Sequence, residues 1–101
     1  MQYTFDIEID LGIGVPTIAR SITIDEDDLG DMVSGVDFDE DELGNAYEKS
    51  KAKFNEAADP VVDEMAETME EDFATNITVA FIDRADVREQ LKTFIRRKLG
   101  L

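Results

Sequence analysis

The chain has 101 residues, with 25 Asp/Glu against 10 Lys/Arg, no His and no Cys, for a net charge of −15. That length builds one small core. The missing Cys excludes disulfides and thiolate chemistry, the missing His excludes the usual acid–base residue of neutral pH, and the charge opposes direct contact with nucleic acid or anionic membrane.

Residues 2–10 alternate. Tyr3, Phe5, Ile7 and Ile9 point one way, and Thr4, Asp6, Glu8 and Asp10 the other. Period two with one apolar face predicts a half-buried strand. Gly12, Gly14 and Pro16 supply turn chemistry. Ile18, Ile22 and Ile24 resume the alternation, with Arg20 the exception, so the two runs predict an antiparallel hairpin. A short acidic helix is expected next, capped by Asp25, turning Leu29, Met32 and Val33 inward and ending at Gly35.

The longest helical signal follows. Leu43, Tyr47, Ser50, Phe54 and Ala57/Ala58 recur at helical spacing. Val61, Val62, Met65, Met69 and Phe73 continue the pattern in nearly the same phase. Pro60 interrupts it, and the residue before a proline avoids helical geometry, so a break or sharp kink is expected at Asp59-Pro60. Residues 76–83 predict a third strand. It is apolar on both faces (Ile77, Val79 and Phe81 against Thr78, Ala80 and Ile82), which suggests the centre of the sheet. Asp83 or Asp86 then caps a final helix carrying Val87, Leu91, Phe94, Ile95 and Leu99. Its basic residues at 92, 96, 97 and 98 suit the negative end of the helix dipole.

The expected fold is α+β, a single domain over residues 1–101. An N-terminal β-hairpin and one later strand form a three-stranded antiparallel sheet, with helices packed on one face. An acidic helical insertion, 25–75, separates strands 2 and 3. No export segment and no run of about 18 apolar residues is visible, so the expected location is cytoplasmic.

Motifs for chemistry are sparse. Triads built on His or Cys and the ordinary zinc sites are impossible. Gly12-Ile13-Gly14-Val15 lacks the remainder of a phosphate-binding loop and reads as a hairpin turn. Glycosidases need two opposed carboxylates in a sugar cleft, for which a small chain leaves little room. A magnesium nuclease must hold a polyanion, which the charge opposes. The chain therefore reads as non-enzymatic, with no catalytic residue, cofactor or metal assigned. Asp37, Asp39, Asp41 and Glu48 do match positions 1, 3, 5 and 12 of a calcium loop. Position 6 is Glu42 where the sharp turn needs glycine, and the rival reading is a helix start with Asp39 as cap and Glu42 three residues on.

The charge is uneven. Residues 25–72 hold 19 acids and 3 bases, whereas residues 83–101 hold 3 acids and 6 bases. Glu56, Asp59, Asp63, Glu67 and Glu70 are spaced to share one helix face, within about 80° of arc and along roughly 21 Å. Ala58, Val61, Met65 and Met69 fall opposite. Glu64 and Glu71 flank the row, and Asp27, Asp28, Asp31, Asp39, Glu40 and Glu42 extend it as two further clusters. Like charges four apart destabilise a helix by about 0.2–0.5 kcal/mol per pair, so their retention suggests a useful field. The final helix's Arg88, Lys92, Arg96, Arg97 and Lys98 are expected to pair with the protein's own acids.

In size, charge and arrangement the chain resembles the acidic DNA-mimic inhibitors of phages and mobile elements. Those families block restriction enzymes, CRISPR effectors or DNA-repair enzymes. The resemblance implies a basic protein partner, a nuclease or another nucleic-acid-binding protein; it matches no family motif, and the acids named above are candidates for the docking face from their charge pattern alone. Two rival readings are a small assembly protein, self-associating through the open sheet face or the Met-bearing helix, and an acidic domain whose charge serves solvation or a basic partner outside defence.

Overall fold

The computed structural model describes residues 2–73, 77–82 and 84–101. Strand β1, Gln2–Asp10, pairs antiparallel with β2, Ile18–Asp25, from Gln2↔Asp25 to Ile9↔Ile18. The alternation sorts the two faces as expected. Tyr3, Phe5, Ile7 and Ile24 are buried, while Thr4, Asp6 and Glu8 are exposed. On the exposed face the Ser21 hydroxyl donates to Asp6 Oδ1 at 2.6 Å, and the Thr4 and Thr23 hydroxyls lie 3.3 Å apart. Polar cross-strand pairs of this kind steady a sheet on its water side. In the turn, Gly12 (φ 119°) and Gly14 (φ 81°) take the left-handed conformations that other residues resist. Asp10 Oδ1 accepts from Gly12 N at 2.9 Å.

Helix α1, Glu26–Met32, starts directly after β2. Asp25 holds the N-cap position in extended geometry, but its carboxylate makes no capping bond. The helix ends before Gly35. Ser34 Oγ donates to the Asp31 carbonyl at 3.0 Å and Val36 N to the Val33 carbonyl at 2.9 Å, so local bonds close the last turn.

Helix α2 is Glu40–Lys49 and α3 is Lys51–Phe73. Of the two expectations at Asp59-Pro60, a break or one kinked helix carrying the proline, the break is overturned: the helix boundary is at Ser50, and Pro60 rides inside α3. Ser50 is extended (φ −175°, ψ 159°), and its Oγ accepts from Lys53 N at 3.1 Å, which caps α3. An internal proline removes one helical bond and crowds the preceding turn. Here Phe54, Ala58, Val62, Met65, Ala66 and Met69 are all buried along one stripe. Burial on both sides of Pro60 outweighs the local preference, so the helix continues. Helices α2 and α3 form a hairpin in which Tyr47 and Phe54 meet edge-on, centroids 5.8 Å apart.

Strand β3, Thr78–Ala80, pairs antiparallel with β1 from Asp10↔Thr78 to Glu8↔Ala80. The sheet order is β2-β1-β3, so β1 is central and β3 an edge, contrary to expectation. Thr78 and Ala80 face water, while Phe81 has left the ladder and is fully buried. The apolarity of this segment serves the loop beneath the sheet, not a second sheet face. Asn76 and Asp83, the expected strand limits, lie outside the described residues.

Helix α4, Ala85–Lys98, buries Val87, Leu91, Phe94 and Ile95. Its N-cap position is Arg84, with no side-chain cap, and Asp86 stands in the first turn without capping. Tyr3 meets Phe94 (6.2 Å), Phe5 meets Phe81 (6.4 Å) and Phe73 meets Phe81 (6.0 Å) in one core between the sheet and the helices. The architecture is α+β, with a three-stranded antiparallel sheet covered by helices on one face. No described helix is long and apolar enough to cross a membrane.

Candidate partner-binding surface

The acidic residues divide into those the fold uses and those it leaves facing water. Asp59 belongs to the first group. It lies 2.8 Å from Lys92 Nζ and 3.3 Å from Arg88 Nη2. The Lys92 hydrogen bond, with a smaller contribution from Arg88, holds the Asp59 carboxyl below its ordinary range. Asp63 also pairs with Arg88, whose guanidinium reaches the Ile82 carbonyl at 3.3 Å. The Asp63 hydrogen bond chiefly, then Asp59, raises the Arg88 pKa above its ordinary value. These pairs tie α3 to α4.

Glu70 is also structural. Its Oε1 accepts from Phe81 N at 2.6 Å and lies 3.4 Å from Ile82 N. The chain has just left β3 here, so these amides have no ladder partner. The expected five-carboxylate row is thus divided by these contacts. It exists as a helix face, but Asp59, Asp63 and Glu70 are engaged internally, because that face borders α4 and the β3–α4 loop. Glu56 and Glu67 remain exposed, with no ion pair among the described residues.

Glu64 and Glu71 on α3 are likewise exposed, as are Asp27, Asp28 and Asp31 on α1. Glu40 and Glu42 stand exposed in the first turn of α2, where the helix dipole favours them. Asp39 is the α2 N-cap, accepting from Glu42 N at 3.1 Å. The calcium-loop arrangement does not form, because residues 40–48 wind as helix where such a loop would wrap an ion. Between α2 and α3 runs a groove of about 710 Å³, where Lys49 and Lys53 stand beside Glu42 and Glu56 and interrupt the acidic surface.

Of the five basic residues of α4, Arg88, Lys92 and Arg97 pair with acids as expected, whereas Arg96 and Lys98 lie over aromatic rings, Lys98 5.8 Å from the Phe94 centroid. Arg88 and Lys92 meet α3, and Arg97 meets Glu26 at 3.5 Å. Arg96 lies over the Tyr47 ring, 5.7 Å from its centroid. Arg84 adds Asp86 at 3.4 Å and Glu8 at 4.0 Å. The sites first considered for self-association change. Met65 and Met69 are buried, and the open sheet face is lined by Thr, Ser and Asp side chains. Exposed apolar surface is at the hairpin tip instead, at Leu11, Ile13 and Val15. Its sequence signal is that residues 11–19 carry no charge in a chain that is 35% charged.

A second feature missed in the sequence is an open groove of about 350 Å³ under the β2 edge, lined by Ile22, Ile24, Met32 and Phe73 with Asp28 and Asp31 beside it. Its parts come from three elements, so no local pattern marks it. No protein-family model matches the chain, and neither does any curated protein or solved structure.

Proposed function

We propose that the protein is a non-enzymatic acidic inhibitor that mimics nucleic acid and occupies the basic surface of a nuclease, a CRISPR effector or another nucleic-acid-binding protein. One observation supports this reading above the others. The described cations of α4 are turned to the protein's own acids or rings, while exposed carboxylates such as Asp27, Asp28, Glu64, Glu67 and Glu71 form no ion pair among the described residues. The outward field is therefore negative along an elongated body, 48 × 24 × 20 Å. Its length equals roughly 14 base-pair steps at ~3.4 Å each. Such a field steers a basic partner and favours fast, salt-sensitive association.

The test replaces only exposed acids that the fold does not use: Glu56, Glu64, Glu67 and Glu71, all changed to Lys. A panel of restriction nucleases, CRISPR effectors and DNA-repair enzymes is assayed for DNA cleavage or binding with each protein. The native chain is expected to inhibit at least one, less so at raised salt, and the variant to lose inhibition while keeping native circular dichroism. Inhibition that survives the charge reversal would sink the proposal, as would a panel left entirely unaffected.

A second reading, self-association, is favoured by the exposed apolar tip. Ile13 is fully exposed and the tip is braced by the Asp10–Gly12 bond. Light scattering separates the two readings. A stable oligomer that Ile13→Ser dissolves supports assembly, and a monomer at high concentration removes it.

A further inference from the structure

We propose that β2 is an acceptor edge for an extended basic segment of the partner, which adds a fourth strand and drops one apolar side chain into the groove beneath Ile22. The inference rests on the reading of a basic partner and adds where and how part of it is held. Strand β2 is eight residues long and, in the order β2-β1-β3, pairs with β1 alone. Its outer edge therefore carries backbone donors and acceptors with no ladder partner among the described residues. Natural proteins usually shorten, bulge or charge such edges against unwanted pairing. Here the device covers one half only. Arg20 stands opposite Ile7 near the hairpin tip and is exposed, with Nη1 donating to the Ala19 carbonyl at 3.2 Å, so a charge guards that half of the strand. The half from Ile22 to Asp25 has no inward charge.

Under that half lies the 350 Å³ groove, where Ile22, Met32 and Phe73 are each only partly buried. It has room for an aliphatic side chain such as Val, Ile or Leu. A strand added to β2 alternates its side chains. One residue opposite Ile22 or Ile24 would enter the groove, and its neighbours would turn to the water face beside Asp25. Asp28 and Asp31 stand at the rim. A segment alternating Lys or Arg with an aliphatic residue fits both faces. The same charges argue against a second copy. Pairing β2 with a second copy would bring together two bodies of net charge −15, each with Asp25, Asp28 and Asp31 beside the edge.

The probe is the capped peptide Lys-Val-Lys-Ile-Lys-Val-Lys, titrated into the ¹⁵N-labelled protein. Its control is the same peptide N-methylated at alternate residues, which keeps every charge but loses half its donors. The expected result is slowed hydrogen exchange at the β2 amides that do not bond β1, with shifts at Ile22, Met32 and Phe73. The N-methylated peptide should bind at least about tenfold more weakly, from the loss of several net-favourable backbone bonds. Met32→Glu, which places a charge in the groove's partly buried wall, should weaken the parent peptide and leave the inhibition assay's acidic residues unaltered.

Equal, salt-sensitive binding of both peptides with shifts confined to α2 and α3 overturns the edge proposal and leaves the acidic-surface reading standing. No binding of either peptide also overturns it, and the charge-reversal assay then judges that reading separately. Protection of the β2 amides that grows with protein concentration in the absence of peptide overturns it in favour of a second copy.

Discussion

Single side chains separate here by whether their polar atoms find partners. The Tyr3 hydroxyl is buried and has no hydrogen-bond partner among the described residues. Burial, with Glu26 nearby, raises its pKa, while Arg97 opposes the rise. A buried hydroxyl without a partner destabilises the fold, so Tyr3→Phe should be neutral or stabilise by up to about 1 kcal/mol. Urea denaturation checks this, and a loss of 1–2 kcal/mol would mean that an ordered water satisfies the hydroxyl. Glu70 is the opposite case. Removing its carboxylate strands the amides of Phe81 and Ile82. Glu70→Ala should cost about 1–3 kcal/mol, while Glu67→Ala, at an exposed site on the same helix, should stay within about 0.5 kcal/mol. Glu70→Gln keeps an acceptor oxygen and should recover much of the loss. Equal effects at 67 and 70 would refute the assigned role of Glu70.

At the scale of elements, the decisive joint is α3 against α4. Asp59, Asp63, Arg88 and Lys92 join the two helices at a half-exposed seam. Because Asp59 is about half exposed, its pairs contribute no more than about 1 kcal/mol after solvent screening. The sign with pH follows from its lowered pKa. The charged form is favoured in the folded state, so the stabilisation is fully present above about pH 4 and is lost as pH falls through the folded value. The stability gap between native protein and Asp59→Asn should therefore be flat from neutral pH to about pH 5 and close below about pH 4. A gap that does not narrow at all as pH falls below about 4 would contradict the ion-pair account. Pro60 gives a second expectation for α3. The helix tolerates it only because its buried stripe holds on both sides, so Pro60→Ala should stabilise by about 1–3 kcal/mol. Thermal denaturation reads this as a higher Tm.

The whole molecule is elongated and strongly anionic. Its radius of gyration is 14.5 Å, against about 13 Å for an ordinary domain of this length. At −15 the chain repels itself in the folded state, and salt screens that repulsion. Stability should rise between roughly 10 and 150 mM salt, while affinity for a basic partner should fall over the same range. These opposite slopes are checked by denaturation and by binding at matched ionic strengths. Parallel slopes would mean that the acidic surface does not drive association.

What could be read from the sequence was whatever period and composition specify locally. The alternation of residues 2–10 places Phe5 and Ile7 inward with no need of a partner strand's identity. Asp39 caps α2 from a purely local hydrogen bond, and the acid-rich segment was plain from charge alone. Three matters were decided only in three dimensions, each because the competing terms are non-local. Pro60 stays helical because burial from Phe54 to Met69 outweighs the lost bond. The segment around β3 lies at an edge because Phe81 is drawn under the sheet toward Phe5 and Phe73. The carboxylate row divides because Arg88, Lys92 and the free amides after β3 claim Asp59, Asp63 and Glu70, while Glu56 and Glu67 stay in water. Spacing along one helix determines which acids share a face. Only the elements packed against that face determine which of them remain exposed to water.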